Sequence, residues 1–413
     1  MASMNQTPSG ERVHIGFFGR RNAGKSSLVN AVTGQKLAVV SDVAGTTTDP
    51  VSKAMEILPL GPVVIIDTPG FDDEGALGEL RVEQTRKILS KTDIAVLVVD
   101  SIEGIKQSDT ELAELFAERK IPYVLCLNKS DLSDDYVPSA LEKLGYELTG
   151  SIAPAAVLDA SAKTGEGIDD LKNAIAAIKP DEAGFPIIKD KIKGGDIVLL
   201  VVPIDEAAPK GRLILPQQQT IRDILDAGAS AVVVKDTELE ETLAKLDGAA
   251  RPALVITDSQ VFAKVRDTVP EDMLLTSFSI LMARHKGLLD EAVRGIAAID
   301  KLKDGDKILI AEGCTHHRQC GDIGSVKIPK WLSDYTKKQL VYETVSGTEY
   351  PSDLSDYALV VHCGGCMLNE KEVLHRTREA ASQGVPITNY GTLIAHLNGI
   401  LKRSLEIFPE YRL

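Results

Sequence analysis

Eight consecutive residues, Gly19-Arg20-Arg21-Asn22-Ala23-Gly24-Lys25-Ser26, constrain this chain more than any others. They follow an apolar, strand-length run at Val13 to Gly19 and lead into Lys25 to Thr33, whose spacing predicts a helix. Glycines at both ends of such a loop let the backbone turn sharply, and its N–H groups then converge with those of the helix N-terminus on one point. A phosphate fits that point. The backbone takes the β-phosphate, Lys25 brings a point charge toward the β and γ phosphates, and Ser26 offers an oxygen to Mg2+. The chain therefore opens with a βαβ unit.

The alternation continues. Val63 to Asp67, Ile94 to Asp100 and Tyr123 to Asn128 read as buried strands, with helical spacing at Thr110 to Arg119 and Gly167 to Ile178. Lys179-Pro180 and Pro186 mark a linker. A second alternation has strands at Ile197 to Pro203, Ala231 to Lys235, Ala253 to Thr257 and Met273 to Phe278, with helices at Thr220 to Ala227, Leu239 to Leu246 and Gln260 to Asp267. It carries no chemical motif and suits packing or self-association. A third places strands at Lys307 to Ala311, Tyr357 to His362 and Pro386 to Asn389, with helices at Glu370 to Gln383 and after Thr392. The expected fold class is α/β in three domains, 1–180, 181–300 and 301–413, each a mostly parallel sheet with helices.

Charge narrows the function classes. The formal net charge is -14, and residues 301–413 hold 14 Lys+Arg against 14 Asp+Glu, so the whole acidic excess lies before them. An acidic body repels phosphate backbones and argues against extensive nucleic-acid binding. The first ten residues carry no basic and apolar signal pattern, and no apolar run is long enough to span a bilayer. The expectation is a cytoplasmic protein.

Base choice comes from Asn128-Lys129-Ser130-Asp131 after a buried strand and from Ser161-Ala162-Lys163. A carboxylate such as Asp131 accepts two hydrogen bonds from guanine N1 and N2, an arrangement that adenine does not offer. GTP or GDP is expected at Gly19, Asn22, Gly24, Lys25, Ser26 and Ser27 on the phosphate side and at Asn128, Lys129, Asp131, Ser161, Ala162 and Lys163 on the base side. Asp67 in Asp67-Thr68-Pro69-Gly70 suits a second contact to Mg2+, and Gly70 the γ-phosphate. These motifs resemble the TrmE-Era-EngA branch of P-loop GTPases over roughly residues 10–180. The resemblance implies that Thr47, in Gly45-Thr46-Thr47-Thr48-Asp49, binds Mg2+, with Thr48 in place of the branch's arginine. It also implies that Asn22 helps to hold K+, as in potassium-activated members. Phe71 stands where Ras-like proteins carry a water-orienting glutamine, so slow hydrolysis is expected.

Four of the five cysteines, Cys314, Cys320, Cys363 and Cys366, fall near the end of the chain. Cys126, within a predicted strand, reads as a buried small apolar residue. Cys314-Thr315-His316 and His362-Cys363-Gly364-Gly365-Cys366 follow two predicted strand ends, where open parallel sheets place their ligands. Soft thiolates beside imidazoles suit zinc or an iron-sulfur cluster, and the helix after Cys366 is expected to favour the thiolates.

The CxH and HCxxC motifs, with 45 residues between His316 and His362 and a GTPase ahead of them, resemble the HydF family of FeFe-hydrogenase maturation GTPases. The stretch Ala208 to Gln217 is similar to that family's middle domain. The resemblance implies a 4Fe-4S cluster on Cys314, Cys363 and Cys366, with a fourth iron left open or held by an exchangeable ligand. His316, His362, Asp322, Glu312 and Cys320 are the candidates for that ligand. It further implies dimerisation through the middle domain, or a larger assembly, and a diiron precursor as cargo. The implied partners are apo FeFe-hydrogenase and radical-SAM maturases, with no nucleic acid or membrane. A competing expectation is a ribosome- or tRNA-associated GTPase with a structural zinc site; another is a small-molecule enzyme using a C-terminal redox cluster.

Overall fold

The computed structural model describes residues 9–34, 51–71, 85, 87–132, 148–178, 185–203, 213–313, 322–347 and 349–411. The expected linker at Lys179-Pro180 lies outside them. Contacts divide the chain into two compact units, Met1–Glu182 and Ala183–Leu413.

The first unit is a six-stranded sheet in the order β2-β3-β1-β4-β5-β6. Its strands are β1 (Val13–Phe18), β2 (Val51–Ile57), β3 (Gly61–Asp67), β4 (Ile94–Asp100), β5 (Tyr123–Asn128) and β6 (Ala156–Ala160). All neighbours pair in parallel except β2, which runs antiparallel to β3 at the edge. The seven residues of β4, Ile-Ala-Val-Leu-Val-Val-Asp, are all buried, as a central strand covered on both faces requires. Each such valine or leucine contributes about 1.5–3 kcal/mol by leaving water. Helices α1 (Lys25–Thr33), α2 (Gln107–Glu118) and α3 (Ile168–Ala177) lie among the connections. Their apolar residues complete two separate cores, α1 and α3 in one and α2 in the other. Cys126 is fully buried in β5.

The second unit holds two four-stranded, wholly parallel sheets. One has the order β10-β9-β7-β8, built from β7 (Ile197–Val201), β8 (Ser230–Val234), β9 (Leu254–Thr257) and β10 (Leu274–Ser277). The other has the order β12-β11-β13-β14, built from β11 (Lys307–Glu312), β12 (Val341–Ser346), β13 (Tyr357–His362) and β14 (Ile387–Asn389). The helices are α4 (Leu215–Asp226), α5 (Leu239–Lys245), α6 (Phe262–Thr268), α7 (Phe278–His285), α8 (Leu289–Gly295), α9 (Ile328–Thr336), α10 (Glu370–Ser382), α11 (Tyr390–Leu397) and α12 (Leu401–Ser404).

One continuous body of buried side chains runs through both sheets. The seam is tight. A Cβ on Gly391 of α11 would lie 2.6 Å from Ser279 Cβ on α7, and one on Gly295 of α8 would strike the Ile387 carbonyl of β14. Where a strand was expected through Phe278, the strand stops at Ser277, whose hydroxyl accepts the Ile280 N–H at 3.3 Å and starts α7. Among the described residues no helix is long and apolar enough to cross a membrane.

Candidate functional site

The phosphate loop runs from the buried end of β1 to α1. Asn22 and Gly24 both take left-handed backbone, φ 61° and 91°, and a Cβ on Gly24 would collide with the Asn128 side-chain amide. The sequence needs glycine there because the loop and the base-side strand touch. Lys25 is buried, and its Nζ donates to the carbonyls of Gly19 at 2.9 Å and Arg20 at 2.6 Å. Ser26 Oγ donates to Asp67 Oδ2 at 2.5 Å across to the end of β3. Burial pushes the Asp67 carboxyl up from its ordinary value, against the Ser26 bond and the Lys25 charge, which pull it down. Asp67 is 1% exposed, and its Oδ1 is buried with no hydrogen-bond partner. An orphaned carboxylate oxygen beside a serine hydroxyl suits a hard cation such as Mg2+. Gly70 lies against Arg21: a Cβ there would come within 2.9 Å of the Arg21 amide nitrogen. Thr47 and the rest of 45–49 lie outside the described residues.

The base side closes from two strand ends. Asn128 Nδ2 donates to the Ala23 carbonyl at 2.9 Å, and its Oδ1 accepts the Ala162 N–H at 3.2 Å, tying the phosphate loop to the Ser161-Ala162-Lys163 turn. Ser161 Oγ donates to Asp131 Oδ1 at 2.7 Å, and Lys163 Nζ stands 3.6 Å from Asp131 Oδ2. The Ser161 bond, helped by Lys163, holds the Asp131 carboxyl below its ordinary range against the opposing desolvation. It is thus an anion ready to accept two N–H groups. Lys129 takes left-handed backbone, φ 67°, and reaches Asp100 at 2.7 Å. Asp100 was not singled out from the sequence, although a carboxylate ending an all-apolar strand is a readable signal. Arg20, inside the loop, is committed to Asp109 at 3.0 Å, Glu103 at 2.6 Å and the Gly104 carbonyl at 3.0 Å. It ties the loop to α2 and its approach.

The cysteine turn follows β13. Gly365 takes φ 63°, which reverses the chain between Cys363 and Cys366. Cys363 Sγ accepts N–H groups from Gly313 at 3.0 Å and Gly365 at 3.3 Å. Gly313 precedes Cys314 directly in the sequence. Cys314, His316 and Cys320 themselves lie outside the described residues. Burial raises both thiols, Cys366 to about 11, against the N–H bonds and nearby cations that oppose it. Desolvation thus outweighs the local dipoles and works against the expected thiolate preference. Soft sulfur that is costly to charge alone, yet already met by two backbone donors, suits a metal cluster that would hold it as thiolate.

His362, closing β13, is fully buried. Its Nδ1 lies 2.7 Å from the Cys363 carbonyl, which can only accept, so Nδ1 carries the proton and Nε2 is bare. Nε2 has no hydrogen-bond partner. Burial, followed by the charge of Arg376, pushes the imidazole down to about 4, so it is neutral. Among the other ligand candidates, Asp322 Oδ1 accepts the Ser325 N–H and hydroxyl, each at 2.8 Å, and starts the turn before α9. Glu312 accepts the Tyr390 hydroxyl at 3.2 Å.

Family models cover most of the chain: residues 187–287 match a hydrogen maturase F dimerization domain and 290–407 a hydrogen maturase F tetramerization domain. The chain belongs to the HydF family. Its first unit matches a 50S ribosome-binding GTPase model over residues 14–129 and has the P-loop GTPase fold. GTPase Der of Campylobacter jejuni is 34% identical over 169 residues, 40% of this HydF-family chain and 36% of Der. The tRNA modification GTPase MnmE of Acetivibrio thermocellus is 30% identical over 169 residues, 41% of this chain and 35% of MnmE. This chain thus spans little more than a third of the length of these curated relatives, 35–36%. A crystal structure of Aquifex aeolicus Era aligns over 54% of this chain and 92% of that one, at 21% identity and a TM-score of 0.38.

Proposed function

We propose that this HydF-family chain hydrolyses GTP and holds a 4Fe-4S cluster while it assembles the diiron subcluster of an FeFe-hydrogenase and delivers it to the apo-enzyme. The observation that carries this reading is the half-buried cysteine turn, with Cys363 Sγ met by the Gly313 and Gly365 N–H groups, inside residues that match a hydrogen maturase F model. Cys314, Cys363 and Cys366 would hold the cluster. When bound, the cluster supplies an iron with a replaceable ligand. His362, neutral with a bare Nε2, is a candidate for that ligand, as are His316, Asp322, Glu312 and Cys320.

In GTP hydrolysis water attacks the γ-phosphorus, the bond to the β–γ bridging oxygen breaks, and GDP and phosphate leave. Lys25 offsets charge on the β and γ oxygens. Ser26, Asp67 and Thr47 hold Mg2+, and Gly70 senses the γ-phosphate. Asn128, Lys129 and Asp131 select guanine. Phe71 in place of a water-orienting glutamine makes turnover slow, and Asn22 supports stimulation by K+; equal rates in sodium and potassium buffers would remove that part. Residues 181–300 form the dimer and 301–413 the cluster domain, in a cytoplasmic protein that meets apo-hydrogenase and the radical-SAM maturases rather than nucleic acid or membrane.

Anaerobic reconstitution with iron and sulfide, followed by metal analysis and EPR, tests the reading. A reducible 4Fe-4S signal is expected. Protein that retains only zinc, or no metal, would instead favour a ribosome- or tRNA-associated GTPase with a structural zinc site.

A further inference from the structure

The phosphate loop follows β1 and the base-side motif follows β5, and in the sheet β4 lies between those two strands, paired in parallel to each. Whatever leaves the end of β4 therefore runs between the two halves of the nucleotide site. That segment is the connection to α2 over residues 100–106, and it grips both halves.

On the phosphate side the grip is Arg20. Its Nη1 donates to Glu103 Oε2 at 2.6 Å and its Nη2 to the Gly104 carbonyl at 3.0 Å. Its Nε donates to Asp109 Oδ2 at 3.0 Å, the same oxygen that accepts the Lys106 N–H. A planar guanidinium held through all its nitrogens has one orientation. The backbone of the same residue serves the loop directly, because the Arg20 carbonyl, with that of Gly19, holds Lys25 Nζ. Gly19 itself is pressed on β4, where a Cβ would strike the Val98 carbonyl.

On the base side the grip is Asp100, which ends β4 and is 7% exposed. Its Oδ2 accepts Lys129 Nζ at 2.7 Å and its Oδ1 the Ile102 N–H at 2.9 Å. Its carbonyl accepts the Gly104 N–H at 2.9 Å, and next to it the Ser101 N–H donates to the Asn128 carbonyl at 2.9 Å. The turn that offers Glu103 and Gly104 to Arg20 is thus built on the aspartate that holds Lys129. The direct tie between the two halves, from Asn128 Nδ2 to the Ala23 carbonyl, reaches only the later part of the phosphate loop.

We propose that the 100–106 connection is a brace that fixes the spacing between the phosphate and base subsites, with Arg20 and Asp100 as positioning residues for guanine nucleotide. This rests on the GTP reading given under Proposed function. A ligand that meets two subsites at once gains affinity from both only where their separation matches its own span, and a rigid spacing removes the cost of finding it.

The test is a double-mutant cycle in the full chain, read by titration with GDP carrying a fluorescent methylanthraniloyl label, with thermal unfolding as the check on folding. Arg20→Gln and Asp100→Asn are each expected to weaken binding by roughly tenfold. Because both act through one brace, the double variant should stay within about threefold of the weaker single variant, whereas separate local contacts would multiply to roughly a hundredfold. In Asp100→Asn the KM for GTP should rise with kcat nearly unchanged, since Lys25, Ser26 and Asp67 keep their own contacts. Where Arg20→Gln does not fold, Glu103→Ala takes its place in the cycle: Glu103 is more than half exposed, and its loss leaves the Arg20–Asp109 pair intact. It should weaken binding by about threefold, with no further loss when combined with Asp100→Asn. Losses that multiply in the double variant, wild-type affinity in a folded single variant, or a kcat that falls while KM stays unchanged each overturn the brace. Wild type that binds no labelled GDP sinks the GTP reading itself and is told apart from these outcomes by that control.

Discussion

The nucleotide loop and the cysteine turn occupy the same place in the same kind of sheet, past the carboxyl ends of parallel strands, yet they are built in opposite ways. The loop after β1 is held by its own backbone and by a lysine that bonds the Gly19 and Arg20 carbonyls, and one aspartate, Asp131, is already kept anionic. The turn after β13 rests on sulfur atoms that burial drives toward the neutral form. The first site is organised before its ligand arrives. Under the proposed cluster reading the second would acquire its charged form only with the metal, so its binding free energy would include the cost of ionising the thiols.

The largest effects should fall where that difference is sharpest. Cys363→Ala and Cys366→Ala, with Cys314→Ala, should each abolish the cluster signal in EPR and metal analysis, while Cys320→Ala retains it; a surviving signal in any of the first three breaks the ligand assignment. Lys25→Ala should lower GTP turnover by roughly 100-fold or more, measured by phosphate release, yet leave iron content unchanged if the two sites are assembled independently. Asp131→Asn should weaken GTP binding by roughly tenfold or more, because one acceptor for the guanine N–H groups is lost; titration with labelled GDP reads this, and an unchanged affinity would remove Asp131 from base selection. Gly295→Ala should destabilise the second unit by ~1–3 kcal/mol through its clash with the Ile387 carbonyl, visible as a lower unfolding temperature with GTP binding intact.

The smallest effect is in pH. Burial, opposed by the bond to the Phe185 carbonyl, lowers the His285 imidazole below its ordinary value. A group depressed in the fold gives stability that is present above about 6.5 and lost as pH falls through that value toward the folded one. His285→Gln should flatten that part of the stability profile of the second unit while leaving the nucleotide site's own pH response unchanged.

Much of this architecture was readable, for reasons that differ by element. β4 and β5 announce themselves as unbroken apolar runs, because strands covered on both faces have no polar side, and the phosphate loop announces itself through glycines that backbone geometry requires. β2, β6 and β12 were missed. In β2, Lys53 and Glu56 interrupt the apolar pattern, and in β12 Val341 and Glu343 are exposed at the edge of the sheet, so neither reads as a buried run. α7 was missed because its first residue, Phe278, continues the apolar run of β10, and only the Ser277 cap separates them. At the cysteine site, Cys363, Cys366 and His362 were legible from spacing. Arg376, whose charge reaches His362, was not: it is fully buried, and nothing local distinguishes it from the solvated arginines of other helices.

The joint between the matched dimerization and tetramerization segments falls at 287–290, where Leu288, Leu289, Ala292 and Val293 belong to the shared buried body. Cutting the chain there would open an apolar wound on both halves, so neither would be a trustworthy stand-in for the whole. It also means that the two matched segments share one solvent-free interior, so a cavity opened in either should be felt in the other.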